Sequence, residues 1–150
     1  MAAISLTGAD TIKINSRIFA DLADGDHTTV DMPNNIANVK IGKDGNALYA
    51  LNGTGLQTDM IIRLVRGSAD DIYLNNLLAK QKQDFAGFIL MTSEFIKRVG
   101  DGAGKITADT YVLSGGIFTK LVPTKSNAEG DTEQSVSIYA ITFTNSDRRI

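Results

Sequence analysis

The chain has 150 residues, 43% of them hydrophobic, with 15 Lys plus Arg against 17 Asp plus Glu, a net charge of −2, and no cysteine. That length suits one domain, residues 1–150, able to bury roughly 70% of its unfolded surface without the help of a disulfide or a metal. The missing cysteines exclude a disulfide scaffold, zinc–cysteine and iron–sulfur sites and thiol catalysis, and the mildly acidic balance argues against a protein that grips phosphates.

The start, Met1-Ala2-Ala3-Ile4-Ser5-Leu6, has no basic stretch before its few apolar residues and reads as no signal peptide. From Thr11 to Phe19, Ile12, Ile14 and Ile18 alternate with Lys13, Asn15 and Arg17, the period of a half-buried strand. His27 to Met32 is β-branched and stops at the turn cluster Pro33-Asn34-Asn35. Ile36–Gly42 and Ala47–Asn52 flank Lys43-Asp44-Gly45-Asn46, and an Asp-Gly step between two alternating runs predicts a β-hairpin. Thr58 to Gly67 puts Met60, Ile62 and Leu64 on one face and Ile61, Arg63 and Val65 on the other.

The period then changes. Ser68 caps a helix expected over about residues 69–82, with Asp71 completing an approximate capping box. Asp70 and Asp71 suit the positive end of its dipole, Lys80 and Lys82 the negative end. Leu74, Leu77 and Leu78 form the stripe that docks on a sheet. Strands return at Phe88–Val99 and Ile106–Val122, joined by the loop Gly100–Gly104; Gly115-Gly116 predicts a bulge or kink in the second. Pro123 ends that strand, a polar loop runs from Lys125 to Glu133, and Ser135–Thr144 closes the fold. Val136, Ile138 and Ala140 on one side of this last strand and Tyr139, Ile141 and Phe143 on the other place it between two layers. The expected architecture is mainly β, a β-sandwich or barrel with one flanking helix. The longest apolar run, Phe88–Met91, is far short of the roughly 20 residues that span a bilayer, so a soluble, intracellular protein with no membrane partner is expected.

Chemistry finds little to work with. His27, the lone histidine, opens a strand beside the acidic turn Asp24-Gly25-Asp26, the ordinary place for a solvated or capping imidazole. That turn is no EF-hand, because Thr29 stands where the loop needs Gly and Asn35 where it needs Glu. Gly100-Asp101-Gly102-Ala103-Gly104-Lys105 is no P-loop, because Val99 and Ile106 occupy the positions of the first Gly and the Ser or Thr. The carboxylates are scattered, with no pair in an apolar setting to split two pKa values. No enzyme, metal or cofactor is expected. What stands out is surplus β surface, since several strands carry apolar residues on both faces and long strands with open edges invite association.

The order of these features resembles the tail tube proteins of long-tailed bacteriophages of the contractile type, and their relatives in contractile injection systems. The resemblance runs over roughly residues 10–145. Its most specific parts are the Gly42-Lys43-Asp44-Gly45-Asn46 turn and the entry Arg66-Gly67-Ser68-Ala69-Asp70-Asp71 into a Leu-rich helix, followed by a Gly-Gly strand and a last strand rich in Ile, Tyr and Phe. It implies a subunit that forms six-membered rings, stacked into a hollow tube in the virion tail after assembly in the host cytoplasm. The implied partners are copies of itself, the tail sheath, tape measure, baseplate and tail terminator proteins, with double-stranded DNA passing through the lumen without specific binding. On that reading Asp21, Asp24, Asp26 and Asp31, in the Lys- and Arg-free stretch 18–38, reach a neighbouring subunit or ring, with Arg63 and Arg66 as natural partners. Lys43 and Asp44 at the hairpin turn belong to the same expected interface. The alternative is a monomeric β-sandwich module binding protein or carbohydrate. It needs an aromatic platform, for which Tyr49, Tyr111 and Tyr139 are widely dispersed.

Overall fold

Alternation of the kind seen at Met60, Ile62 and Leu64 builds antiparallel sheet here, and a computed structural model describes it for residues 3–150. Met1 and Ala2, with which the signal-peptide reading begins, lie outside the described residues. The strands are β1 (Ser5–Leu6), β2 (Thr11–Ile14), β3 (Arg17–Ile18), β4 (Thr28–Asp31), β5 (Ala37–Ile41), β6 (Ala47–Leu51) and β7 (Thr58–Val65). Helix α1 (Ala69–Gln83) follows, then β8 (Met91–Gly100), β9 (Ile106–Phe118), a 3-10 turn (Thr132–Ser135) and β10 (Val136–Arg149). Eight strands form one sheet in the order β3-β2-β8-β9-β10-β7-β4, with β1 also paired to β8, while β5 and β6 form a separate ribbon.

The large sheet folds over on itself. Ser93 Oγ on β8 lies 3.9 Å from Met60 Sδ on β7, although β9 and β10 separate those strands in the sheet. The space enclosed holds Ile12, Ile14, Met60, Ile62, Leu64, Met91, Leu113, Phe118, Tyr139, Ile141 and Phe143, all buried. Leu74 and Leu78 of α1 close it. The result is mainly β, a sandwich with one flanking helix, as the alternation pattern leads one to expect.

The helix starts as its cap dictates: Ser68 accepts the Asp71 N–H, and Asp71 turns its own carboxylate back to the Gly67 N–H at 2.8 Å. Near its other end the Gln81 amide donates to the Phe118 carbonyl and accepts the Phe118 N–H, both at 2.8 Å. This side chain takes the place of a neighbouring strand and stops β9 at Phe118, short of the expected Val122. The Gly115-Gly116 bulge is present. Met91 pairs with Gly116 and Ser93 with Leu113, so β9 carries one extra residue there. Gly115 adopts φ +69°, and a Cβ on Gly116 would stand 2.5 Å from the Phe143 ring.

Other expectations need correction. Thr11–Phe19 is no single strand: Asn15 and Ser16 adopt φ of 51° and 66°, and this two-residue turn folds Arg17–Ile18 back against Lys13–Ile14. Ile18 is consequently exposed while Ile12 and Ile14 are buried. The strand expected from Phe88 begins at Met91, leaving Phe88–Leu90 outside the sheet. The last strand runs on to Arg149, because Asn145–Arg149 pair with Thr110–Ser114. Its Tyr139, Ile141 and Phe143 face lies in the core, while on the opposite face Val136 is buried and Ile138 and Ala140 are half-buried.

Candidate assembly surface

The ribbon β5–β6 stands off the body as an arm. Its turn is closed by Gly42 N–H to Asn46 O at 2.8 Å and Gly45 N–H to Gly42 O at 3.0 Å, with Gly45 at φ +82°. Its base is held by the Asn52 amide, which donates to the Asn35 carbonyl at 2.7 Å, and by the Asn52 N–H on the Ile36 carbonyl. The backbone at Gly55 passes so close to Ile36 that a Cβ there would lie 2.6 Å from its Cα. Cross-strand pairing sets Ala37 beside Leu51, Val39 beside Tyr49 and Ile41 beside Ala47. One face of the arm is therefore wholly apolar. The other carries Asn38, Lys40, Leu48 and Ala50. Every residue of both strands is exposed, Tyr49 to 78% and Leu51 to 88%. A bare two-stranded ribbon is marginal in water, and an uncovered apolar face of this kind marks an interaction surface.

The acidic stretch is not a free loop but the edge of the large sheet. Leu22 bridges Leu64, the Ala23 N–H donates to Arg63 O, and the Val65 N–H donates to Asp21 O. Beyond the turn at Asp24–Asp26, β4 pairs with β7 from Thr28↔Ile62 to Asp31↔Asp59. The edge is anchored to α1 by Asp70, whose buried carboxylate accepts the N–H groups of Ala20 and Asp21 at 2.8 and 2.9 Å and the Arg17 guanidinium at 3.1 Å. Burial pushes this carboxyl upward, but the two backbone N–H groups and Arg17 outweigh it and hold it below the ordinary carboxylate range. Asp71 ties the helix to β10, accepting Tyr139 OH at 2.6 Å and Ser137 Oγ at 3.0 Å. Burial, with the carboxylate beside it, raises the Tyr139 phenol far above its usual value.

The structure brings some of the expected interface residues together and spends others. Arg63 lies over the acidic turn, but its guanidinium donates to the Asp24 carbonyl at 3.0 Å and to both oxygens of Glu133 at 2.6 and 2.7 Å. Arg66 donates to the carbonyls of Gln134 and Val136. Both arginines are thus engaged within the chain. Asp24, Asp26 and Asp31 are exposed and enter none of the ion pairs among the described residues. Asp21 is half-buried at the helix start, and Lys43 and Asp44 sit apart at the tip of the arm. On the outer face of β7, beside this edge, Ile61 and Val65 are 43% and 47% exposed, with Ile138 and Ala140 alongside on β10.

The other candidates resolve into structural parts. His27 Nδ1 pairs with the Thr28 hydroxyl at 3.0 Å. In the Gly100–Lys105 turn the Ala103 and Lys105 N–H groups point at the Asp101 carboxylate, at 2.8 and 3.1 Å, and hold its pKa down. Tyr49 is on the arm, Tyr111 packs edge-on against Phe95, and Tyr139 is in the core, so the three make no common platform. No group of three or more His, Cys, Asp or Glu placed to hold a metal occurs among the described residues, and no helix among them is long and apolar enough to cross a membrane. Sequence reasoning missed a second apolar patch. Phe85, Ile89 and Leu90 are exposed beyond the end of α1, beside a cavity of about 430 Å³ lined by Leu77, Lys80, Asp84 and Phe88. The run Phe88–Leu90 was its only signal, and that run reads equally well as the start of a buried strand.

No family model and no curated protein matches the chain. Among solved structures it is similar to a chain in the sheath/tube terminator of the PVC extracellular contractile injection system in its extended state. The TM-score is 0.57 at 9% identity, covering 96% of this chain and 95% of that one. It is likewise similar to a chain in the extended sheath–tube complex of the same system, with TM-score 0.57 and 11% identity over 93% and 87% of the two chains. At such identities the likeness is one of fold, and it extends over nearly the whole length of the chain.

Proposed function

We propose that this chain is the structural subunit of a contractile-type tail tube, a single domain over residues 1–150. Its copies assemble in the host cytoplasm into stacked hexameric rings of the virion tail. The observation that carries this reading is the arm: a ribbon with one wholly apolar face and nothing of its own chain upon it. The open edge at Asp21–Asp31 and the likeness in fold to chains of a sheath–tube assembly support it. An arm that covers a different surface on the next copy is a head-to-tail contact, and such contacts close into rings or continue as helical stacks. The partners on this reading are further copies, the sheath outside, the tape measure protein within, and baseplate and terminator proteins at the ends. A net charge of −2 suits a conduit, because each phosphate neutralised by a basic wall would add counterion-release affinity and hold passing DNA back.

Size-exclusion chromatography of the concentrated protein, with negative-stain microscopy of the fractions, tests the reading. Rings or tubes are the expected result. A strictly monomeric species at the highest attainable concentration contradicts it and favours a monomeric binding module.

A further inference from the structure

We infer that Asn52 is a site of spontaneous deamidation, and that the acid it becomes unfastens the arm and takes the chain out of assembly; the second half rests on the self-association through the arm proposed above. Among the asparagines of this chain only Asn52 is followed by glycine. The Gly53 nitrogen therefore has no neighbouring Cβ to obstruct its approach to the Asn52 side chain. Gly53 is exposed, and a Cβ built on it meets nothing within 4 Å, so the site is open to water and base. In the reaction the Gly53 N–H gives its proton to base, the nitrogen bonds to Asn52 Cγ, and the bond from Cγ to the side-chain nitrogen breaks, releasing ammonia. Water then opens the cyclic imide at one carbonyl to give Asp, or at the other to give isoAsp.

The fold decides when this happens and what it undoes. In the closed arm the Asn52 carboxamide is fully engaged: Nδ2 donates to the Asn35 carbonyl at 2.7 Å, and Oδ1 accepts the Thr54 N–H at 3.1 Å and the Thr54 hydroxyl at 2.8 Å. The Gly53 nitrogen reaches Cγ only when these bonds open. They close the base of a bare two-stranded ribbon, which opens far more often than the large sheet. Asn15, followed by the small Ser16, is held in that sheet, where its N–H donates to the Thr92 carbonyl and its Oδ1 accepts the Thr92 N–H. Once Asn52 is an acid, an oxygen stands where Nδ2 faced the Asn35 carbonyl, and two acceptors oppose each other across the base. IsoAsp also lengthens the backbone between residues 52 and 53. The chain has no slack to absorb this, because at Gly55 it already passes so close that a Cβ would stand 2.6 Å from Ile36 Cα. An arm whose base is loose must be ordered again each time it binds, and that cost is subtracted from assembly.

Dilute, unassembled protein stored in mildly alkaline buffer and followed by peptide mapping tests the first half. Asn52 should convert first. Asn46, on the same arm but followed by Ala47, and Asn15, in the sheet, should lag about tenfold or more. Gly53→Ala, for whose methyl there is room, should slow the conversion at Asn52 about tenfold and leave assembly unchanged. For the second half, the converted chains, separable by their added negative charge, should stay in the monomer fraction when the mixture is concentrated. Asn52→Asp should raise the concentration needed for assembly about tenfold, the effect of one hydrogen bond lost at the base, with the urea midpoint unchanged. Conversion at Asn52 no faster than at Asn46, or assembly of Asn52→Asp at the wild-type concentration, overturns the inference while self-association stands. A freshly prepared wild-type chain that never associates overturns both.

Discussion

Asp70 and Asp71 are adjacent acids in the first turn of α1, and each has partners beyond the helix dipole. Asp71 points to Tyr139 and Ser137 on β10, while Asp70 points to the backbone of Ala20 and Asp21 and to Arg17. In the Asp70→Asn variant one carboxylate oxygen becomes an N–H₂ that faces either the Ala20 and Asp21 N–H groups or the Arg17 guanidinium, donors in both cases, so a loss of roughly 1–3 kcal/mol in unfolding free energy is expected. The carboxyl titrates lower folded than unfolded, so on acidification the unfolded chain takes up the proton first. The stabilisation from Asp70 is complete above the unfolded pKa of about 4 and fades as pH falls through the folded value. Denaturant midpoints between pH 7 and pH 3 should therefore drop more steeply for the wild type than for Asp70→Asn; parallel profiles would contradict the assignment. Gly116→Ala is a second residue-scale case. Its Cβ would press on the Phe143 ring at the bulge, and a loss of about 1–3 kcal/mol in a urea melt is expected.

Among the elements, the arm is the one whose role separates from stability. Its side chains touch little of their own chain, so Val39→Asp or Tyr49→Lys should leave the unfolding midpoint within about 0.5 kcal/mol of wild type while assembly is lost. A large stability loss in either variant, seen by urea melt, would mean the arm is packed on its own body. This hairpin was legible from its Asp-Gly turn, as were the core row Met60, Ile62 and Leu64, the Ser68 cap and the Gly115-Gly116 bulge. What escaped has physical reasons. Asn15-Ser16 makes a two-residue turn inside an unbroken alternation, because asparagine tolerates the left-handed conformation that serine is then carried into. Gln81 ending β9 is a contact between residues 37 apart, which no local pattern encodes. Arg63 and Arg66, expected to face a neighbour, found Glu133 and backbone carbonyls of the segment before β10 instead. Alternation also says that a face is apolar without saying what covers it, so the bare arm could be recognised only from the fold.

On the scale of the molecule, the arm shows an exposed, wholly apolar face, while the outer face of β7 shows Ile61 and Val65 on either side of Arg63, beside an open edge that carries Asp24, Asp26 and Asp31. Carboxylates along an open edge discourage indiscriminate strand pairing. The account as a whole claims that the arm is uncovered in a lone chain and covered by a second copy. Hydrogen exchange of the amides in β5 and β6, followed from dilute to concentrated protein, tests this most directly. The ribbon's amides should exchange rapidly at low concentration, as a marginal two-stranded ribbon does, and slow by orders of magnitude on assembly, while the amides of β7 and β10 remain protected throughout. Slow exchange of the ribbon at high dilution, unchanged by concentration, would contradict it.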